Sequence, residues 1–524
     1  MQSPLSRFSS FLIHRNQWPV YAIFLLALAV GAAHHLFMKS SDPSYDFLMR
    51  SGDNYNYDRW AKEISQTFWL GWDRLPFSQG PLYPYFLAFV YLRFGATYDA
   101  GTLAQVVLGA ANVALIFAIA RRLFGGATGW IAGSVAAFSP NLLLYQGELL
   151  PETLVVFVNL VFLQVLISAS GAPSYAKWAG AGAALGLCAI ARSNALLSLP
   201  LVLGALWWAG PDRKRRLAYT GASAAALAIT IAPVTAANYF GGGRLALLTT
   251  NGMWNFYIGN APDASGTYAR PDSMWDIVLA TGQNEAVIDW MTPFLEHLRD
   301  DPAFLPRNLL KKTALFWQSG ELPQVENFYL KQSFSPFLRT PLAFGVIAPV
   351  GLVGIALAMS GTWTGKLPKT VYLLAGFVFL YSAGIILIFV IARLRLPVVA
   401  ALIPFAAYAA RQTAFPLIIA VRENRIGSVG AWRTPAGIAA ACVLLGLALQ
   451  TRDESLLIRW SDYYNQGSAY EAKDQLESAL DSYERAQALK PDSKSVEAAI
   501  AGVRDRIETM RSLDRRQNQR EPRE

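Results

Sequence analysis

"PLYPYFLAFVYLRFG", residues 81–95, decides how the rest of this chain is threaded. The run is apolar and aromatic, but shorter than the roughly 20 residues a helix needs to cross a bilayer. It is either a span or a helix lying in the interface. Basic loops choose between the two, because Lys and Arg mark the cytoplasmic side. Candidate spans lie near 18–37, 99–120, 126–145, 152–170, 175–191, 193–210, 217–237, 340–360, 370–392, 396–411 and 433–450. If 81–95 lies flat, several basic groups share one side: Arg7 and Arg15, Arg121 and Arg122, the run 213–216, Lys366 with Lys369, and Arg422 with Arg425. If it spans, Arg121 and Arg122 move across. The flat reading predicts an all-α, polytopic membrane protein of about 11 transmembrane helices, N-terminus in and C-terminus out.

Composition agrees. Of 524 residues, 53% are hydrophobic and 15% charged, and the mean hydropathy is +0.29. A soluble domain carries about 25% charged residues. The apolar runs are continuous rather than alternating, which argues against a β-barrel. The net charge of +9 sits in short loops and at the chain ends, so it speaks of membrane orientation and not of nucleic acid. The two cysteines, Cys188 and Cys442, lie in apolar runs and read as small core residues. Two are too few for a disulfide framework or a zinc site. The run 18–37 lacks a small-residue cleavage site and reads as a retained span.

Residues 1–450 read as the membrane domain, with large outer loops at 38–98 and 238–339. Interfacial helices are expected in the first loop. Residues 451–512 read as a small helical domain. Within it "YNQGSAYEAKDQLESALDSYERAQALKP", 464–491, places Gly467, Tyr470, Ala479, Tyr483, Ala486 and Pro491 at the signature positions of a tetratricopeptide repeat. One repeat cannot bury its face alone, so it must dock on the membrane domain, another copy or a partner. The tail, 513–524, has the composition of a disordered segment.

The chemistry-bearing residues lie in loops. "SGDNYNYDRWAKEI", 51–64, holds Asp53 and Asp58 with Tyr55 and Tyr57 beside them. "YQGELLPET", 145–153, holds Glu148 and Glu152, four apart and so able to share a helical face. The charge-derived topology puts all four acids outside, where they are either ordinary loop and cap acids or groups tuned as a base or a metal ligand. Arg192 in "ARSNALL", and Arg393 and Arg395 in "ARLRLP", fall on the same face, against the usual bias of basic residues. Cations near apolar spans are costly without a counter-charge. An arginine fork suits phosphate, and snorkelling to lipid phosphates is the plainer alternative. Carboxylates and arginines at one interface suit glycosyl transfer from a polyprenyl-phosphate sugar. No P-loop or dinucleotide fingerprint accompanies them.

Six motifs occur in order: "GDNYNY", "GPLYPYFLAFVYLRFG", "SPNLLLYQGELLPET", "GLCAIARSNALLSLP", "NFYIGNAPDASGTY" and "RLRLP". Over about 18–410 the series resembles the GT-C class of membrane glycosyltransferases, in the bacterial branch related to protein O-mannosyltransferases and the lipid A aminoarabinose transferase. The resemblance implies an inverting transferase at the periplasmic face of a bacterial inner membrane, with the N-terminus cytoplasmic and the helical repeat periplasmic. Its donor would be a polyprenyl-phosphate sugar, and its acceptor a glycan, lipid or protein. It implies Asp53 as catalytic base, Tyr57 beside the donor phosphate, and Glu152 at the acceptor or a metal, with Glu148 as the alternative. It implies Arg192, Arg393 and Arg395 around the donor phosphate, and Asn255, Tyr257 and Asn260 facing substrate. The chain departs from the pattern in three places. Gly80 stands where the aminoarabinose transferase has a lysine, Asn56 where it has an arginine, and Asn54 where eukaryotic mannosyltransferases pair a second acid with the first. The first two departures throw the donor phosphate onto the three arginines and lower the odds of aminoarabinose as donor sugar. No obligatory metal is expected, with a divalent ion left open. A protein partner is open through the repeat.

Two rival readings are a lipid-linked glycan transporter or assembly scaffold, and an O-antigen ligase-like or polymerase-like enzyme. Acids confined to one face, and no internal repeat in the membrane part, count against the transporter. The early acid-bearing loop counts against the ligase.

Overall fold

A computed structural model describes residues 17–48, 52–67, 76–210, 212–281, 287–422 and 456–518. Among them there are helices and no strand. The first half runs α1 (Trp18–Ser41), α2 (Asp53–Gln66), α3 (Leu82–Phe94), α4 (Tyr98–Phe124), α5 (Gly126–Ala137), α6 (Pro140–Gln146), α7 (Glu152–Gly171), α8 (Tyr175–Ala191), α9 (Leu199–Ala209) and α10 (Arg213–Ala236). The second runs α11 (Gly252–Asn260), α12 (Ser273–Thr281), α13 (Val287–Asp300), α14 (Phe304–Trp317), α15 (Phe328–Lys331), α16 (Phe344–Trp363), α17 (Val371–Ile386), α18 (Leu396–Arg422), α19 (Trp460–Ala472), α20 (Leu476–Leu489) and α21 (Lys494–Asn518).

Six helical stretches among the described residues are long and apolar enough to cross a membrane. They are α1, α4, α7, α16, a stretch opening with α10 and one made largely of α18. The protein is a polytopic helical membrane protein. Helix α3, by contrast, has 13 residues, a rise of about 20 Å against a hydrocarbon core of about 30 Å. Gly95 stops it with φ +90°, a conformation costly for any residue with a Cβ. Its inner face packs on α2, where Tyr83 meets Tyr57 edge-on at 5.2 Å. Tyr91 donates to Asp58 at 2.6 Å.

The expected span 126–145 is broken instead into α5 and α6. Ser139 precedes Pro140 and is extended (ψ 116°), because the proline ring disfavours helical backbone before it. The expected span 193–210 opens with a 3-10 turn, Ser193–Ser198, before α9. The expected span 433–450, with Arg7, Arg15 and Arg425, lies outside the described residues.

Helix α18 is the axis of the bundle, with 89% of its apolar stretch buried. It packs on α4, α5, α7, α16 and α17. In the large second loop α11 to α13 enclose their own core, built on Tyr257, Met274, Trp290 and Phe294.

Helices α19 and α20 form a hairpin in which Gly467 lies so close to the Tyr483 ring that a Cβ would sit 2.7 Å from it. Ala479, Tyr483 and Ala486 are buried there against Val496, Ile500 and Val503 of α21. Helix α21 continues to Asn518, into the stretch expected to be disordered. The hairpin contacts the second loop of the same chain. Asn327 of the second loop donates to Asp462 at 2.7 Å, and Arg459 donates to the Gln324 carbonyl at 2.9 Å.

Candidate functional site

Four charged residues from four distant parts of the chain meet at one end of the bundle. Asp53 is the first residue of α2, where the free N–H groups and the helix dipole favour a negative charge. Tyr57 follows one turn later on the same face. Glu152 opens α7 in the same way, behind Pro151. Arg192 ends α8, and Arg393 lies in the 3-10 turn Ala392–Arg395 that leads into α18. Gly80 lets the 76–80 loop approach this point. A Cβ there would lie 2.2 Å from the Ala191 carbonyl, which explains why no lysine occupies the position.

The contacts form an alternating chain of charge. Arg393 donates to Asp53 at 2.5 Å and lies 3.7 Å from Glu152. Arg192 donates to the same Glu152 oxygen at 2.7 Å. Gln79 and Gln324 donate to Asp53 at 3.2 and 3.5 Å. Burial alone would push the Asp53 carboxyl up, but the Arg393 guanidinium and the two amides outweigh it and hold Asp53 below its usual range. Burial also pushes the Tyr57 phenol up, so it stays neutral beside the acids. Buried polar atoms normally have partners. Here Glu152 Oε2, Arg393 Nε, Gln324 Oε1 and the Tyr83 hydroxyl have none among the described residues. Charged and polar groups face one another with hydrogen-bonding capacity left over, as a site that takes a ligand requires.

Asp53 lies in the wall of a cavity of about 550 Å³, which Gln79, Asn255, Trp254, Gln324 and Lys331 also line. Beside it Lys331 is held by three carboxylates, Asp42 at 2.7 Å, Glu148 at 3.0 Å and Glu326 at 3.1 Å. Burial would lower the Lys331 ammonium, but the three acids together raise it well above its usual range. Glu148 moves the other way from most paired acids. Burial, then the charges of Glu326 and Asp42, push it well above a normal carboxylate despite Lys331. A carboxyl raised in the fold costs stability as pH rises through the window between its unfolded and folded values. Lys331→Met should therefore destabilise the protein most at neutral pH. Melting temperatures should recover as pH is lowered toward the unfolded carboxylate value of about 4; a pH-independent loss would contradict this account.

The structure sorts the other expected site residues. Glu148 belongs to the Lys331 cluster and has no contact with Asp53 or the arginines. Arg395 does not join the site. Its side chain is fully buried. It donates to Glu321 at 2.8 Å and to the carbonyls of Phe316, Gln318 and Gly320. It also lies 4.2 Å over the Phe344 ring. The cause is the 3-10 turn, in which residues two apart point to different sides. Of the three α11 candidates only Asn255 reaches the cavity. Tyr257 packs on Trp290 in the loop core. Asn260 ties the loop to the Leu387 carbonyl and accepts from Lys312 at 2.7 Å. Asp58 is taken by Lys62 and Tyr91. Sequence reasoning missed Gln79, Gln324, Glu326 and Lys331. Gln79 stood next to a position already singled out, Gly80, and the other three carried no periodic or motif signal. Among the described residues no group of three or more His, Cys, Asp or Glu is placed to hold a metal ion.

Residues 78–236 match the family model described as dolichyl-phosphate-mannose-protein mannosyltransferase. No curated protein matches the chain significantly. Among solved structures, the apo oligosaccharyltransferase of Archaeoglobus fulgidus aligns at TM-score 0.47 and 15% identity, covering 93% of this chain and 60% of that one. The chain thus spans about three fifths of that protein's length. ArnT from Cupriavidus metallidurans, solved bound to undecaprenyl phosphate, aligns at TM-score 0.43 and 14% identity, covering 93% of this chain and 75% of that one. The matched family segment holds Gln79, Glu148, Glu152 and Arg192, while Asp53 and Arg393 lie outside it. Over residues 78–236, this chain is similar to the dolichyl-phosphate-mannose-protein mannosyltransferases.

Proposed function

We propose that the protein is an integral membrane glycosyltransferase. It moves a sugar from a polyprenyl-phosphate donor to an acceptor hydroxyl at the periplasmic face, with inversion. The observation that carries this reading is the Asp53–Arg393–Glu152–Arg192 chain, whose Asp53 end lies in the cavity wall. Asp53 takes the proton of the acceptor hydroxyl. The acceptor oxygen bonds the anomeric carbon, and the sugar–phosphate bond breaks with its electron pair going to the phosphate oxygen. Arg393 and Arg192 neutralise the charge that develops there. One displacement inverts the anomeric centre. Arg393 also links base and phosphate. As the phosphate draws the guanidinium, Asp53 loses the charge that holds its carboxyl down and becomes a stronger base. Arg393 supplies positive charge to both Asp53 and Glu152, which supports a metal-independent reaction. The helical hairpin of α19 and α20, read as a single tetratricopeptide-type repeat, is proposed to lie on the same periplasmic side.

The test uses the purified full chain with a labelled polyprenyl-phosphate sugar. Transfer should occur in the presence of a chelator, and NMR of the product should show the anomer opposite to that of the donor. Retention of configuration would overturn the single-displacement scheme. Arg192→Gln should raise the donor KM about tenfold, the loss of one charge-assisted contact, with a smaller change in acceptor KM. An unmoved donor KM would remove Arg192 from the phosphate site.

A further inference from the structure

The cavity has a second wall that the reaction does not use. Helix α19 presents Asp462, Asn465 and Gln466 on one face, at the i, i+3, i+4 spacing, and all three line the cavity. The hairpin is fastened in place. Asn327 bonds both Asp462 and the Leu457 carbonyl, Arg459 bonds the Gln324 carbonyl, and Lys473 lies 3.5 Å from Asp46. Asn56, Asn251 and Asn255 line the same cavity.

The chemistry of the lining is selective. Its acids are spoken for: Asp53 by Arg393, Glu326 by Lys331, and Asp462 by Arg459. Arg270 rests over the Trp254 and Trp275 rings. Most of the polar capacity left over is neutral, as amides and the Ser78 and Tyr268 hydroxyls, with the Arg270 guanidinium the charged exception. The side chains of Asn56, Asn251, Asn255, Asn465 and Gln466 hydrogen-bond no described residue, and each offers donors and an acceptor together. Trp254 and Tyr268 add half-buried aromatic faces to the same lining. Planar amides pair with adjacent hydroxyls, and aromatic faces stack on the C–H face of a sugar ring. A peptide that adds to a sheet edge would find none here, since the described residues contain no strand. The volume of about 550 Å³ lies within the usual range of ligand sites.

We propose that this cavity binds the acceptor as a neutral short saccharide, clasped between α11 and the α19 face of the C-terminal hairpin, with its attacking hydroxyl toward Asp53. The acceptor role rests on the proposed transfer reaction. The C-terminal domain is thereby a wall of the site, and Asn465 and Gln466 determine acceptor specificity.

The test is saturation-transfer NMR on the full chain in nanodiscs, with a panel of methyl glycosides from mono- to tetrasaccharides and a Ser/Thr-containing peptide as rival ligand. Saturation should pass to ring C–H protons of a subset of saccharides. The Asn465→Ala/Gln466→Ala variant should weaken that binding about ten- to thirtyfold, as for two neutral hydrogen bonds. Asn255→Ala, in α11, should weaken it about three- to tenfold. No saccharide signal from the native chain, binding unmoved by both variants, or peptide binding in place of saccharide would each overturn the assignment. Consumption of labelled donor is followed separately. Saccharide binding without any donor consumption would sink the transfer reaction and leave the cavity assignment standing. Transfer with an acceptor KM unmoved in the double variant would sink the cavity assignment alone.

Discussion

Asp53→Asn is expected to lower sugar transfer by about 10²–10⁴-fold, the contribution of a general base, with donor binding kept or tightened, because Arg393 is released from its counter-charge. The substitution keeps size and shape, and the amide still fits between Gln79, Gln324 and Arg393. What it loses is the capacity to take a proton. The acid lies in the cavity wall, where an acceptor hydroxyl can reach it. Its folded-state value is depressed by Arg393 and two amides against the effect of burial. The acidic limb of kcat/KM should therefore lie below the ordinary carboxylate range. With donor bound and Arg393 drawn to phosphate, the limb of kcat should move up. Stability follows the same sign. A depressed carboxyl contributes stability that is present above its unfolded value and lost as pH falls through its folded value. Full transfer by the variant in an assay with labelled donor would remove Asp53 from its role. A kcat limb no higher than that of kcat/KM would break the proposed coupling through Arg393.

The second large effect is structural. Arg395→Met is expected to destabilise the protein by about 3–5 kcal/mol, because it leaves the buried Glu321 carboxylate without its counter-charge. Both partners are nearly inaccessible, 0% and 2% exposed. The same guanidinium also satisfies three carbonyls of the segment leading to Gln324, which reaches Asp53. Arg395→Met with Glu321→Met removes both charges and should recover much of the loss, as buried pairs replaced by apolar residues often do. Thermal unfolding of the detergent-solubilised chain measures both. The fraction that folds should keep its donor KM. A stable Arg395→Met with weakened donor binding would instead return Arg395 to the phosphate site.

These two arginines show where sequence reading stops. "ARLRLP" lies at a helix start, and its charges oppose the usual bias of membrane loops, so the residues marked themselves as unusual. Their division of labour depends on the turn. A 3-10 start sends Arg393 to an acid 340 residues away and Arg395 to a carboxylate 74 residues away. Glu148 and Glu152 divide in the same manner. Four-residue spacing promised a shared helical face, but the helix begins only at Glu152, so Glu148 is free to turn to Lys331. The short aromatic run behaved differently. Its proline start, glycine stop and length are local properties, and α3 follows them.

By itself, then, the sequence determined an all-helical membrane chain, because apolar runs, their breakers and the composition are local quantities that backbone and bilayer read directly. It also nominated Asp53 and Glu152, each the first residue of a helix where exposed N–H groups favour negative charge, and Arg192 and Arg393, cations set against apolar spans where they need a counter-charge. Only the tertiary structure decided which charges pair. Ion pairs are chosen by distances between segments 40 to 340 residues apart, and those distances are set by how the helices pack around α18. Packing likewise brought Gln324 and Lys331 beside the nominated residues, and carried the C-terminal hairpin onto the cavity by way of Asn327 and Arg459.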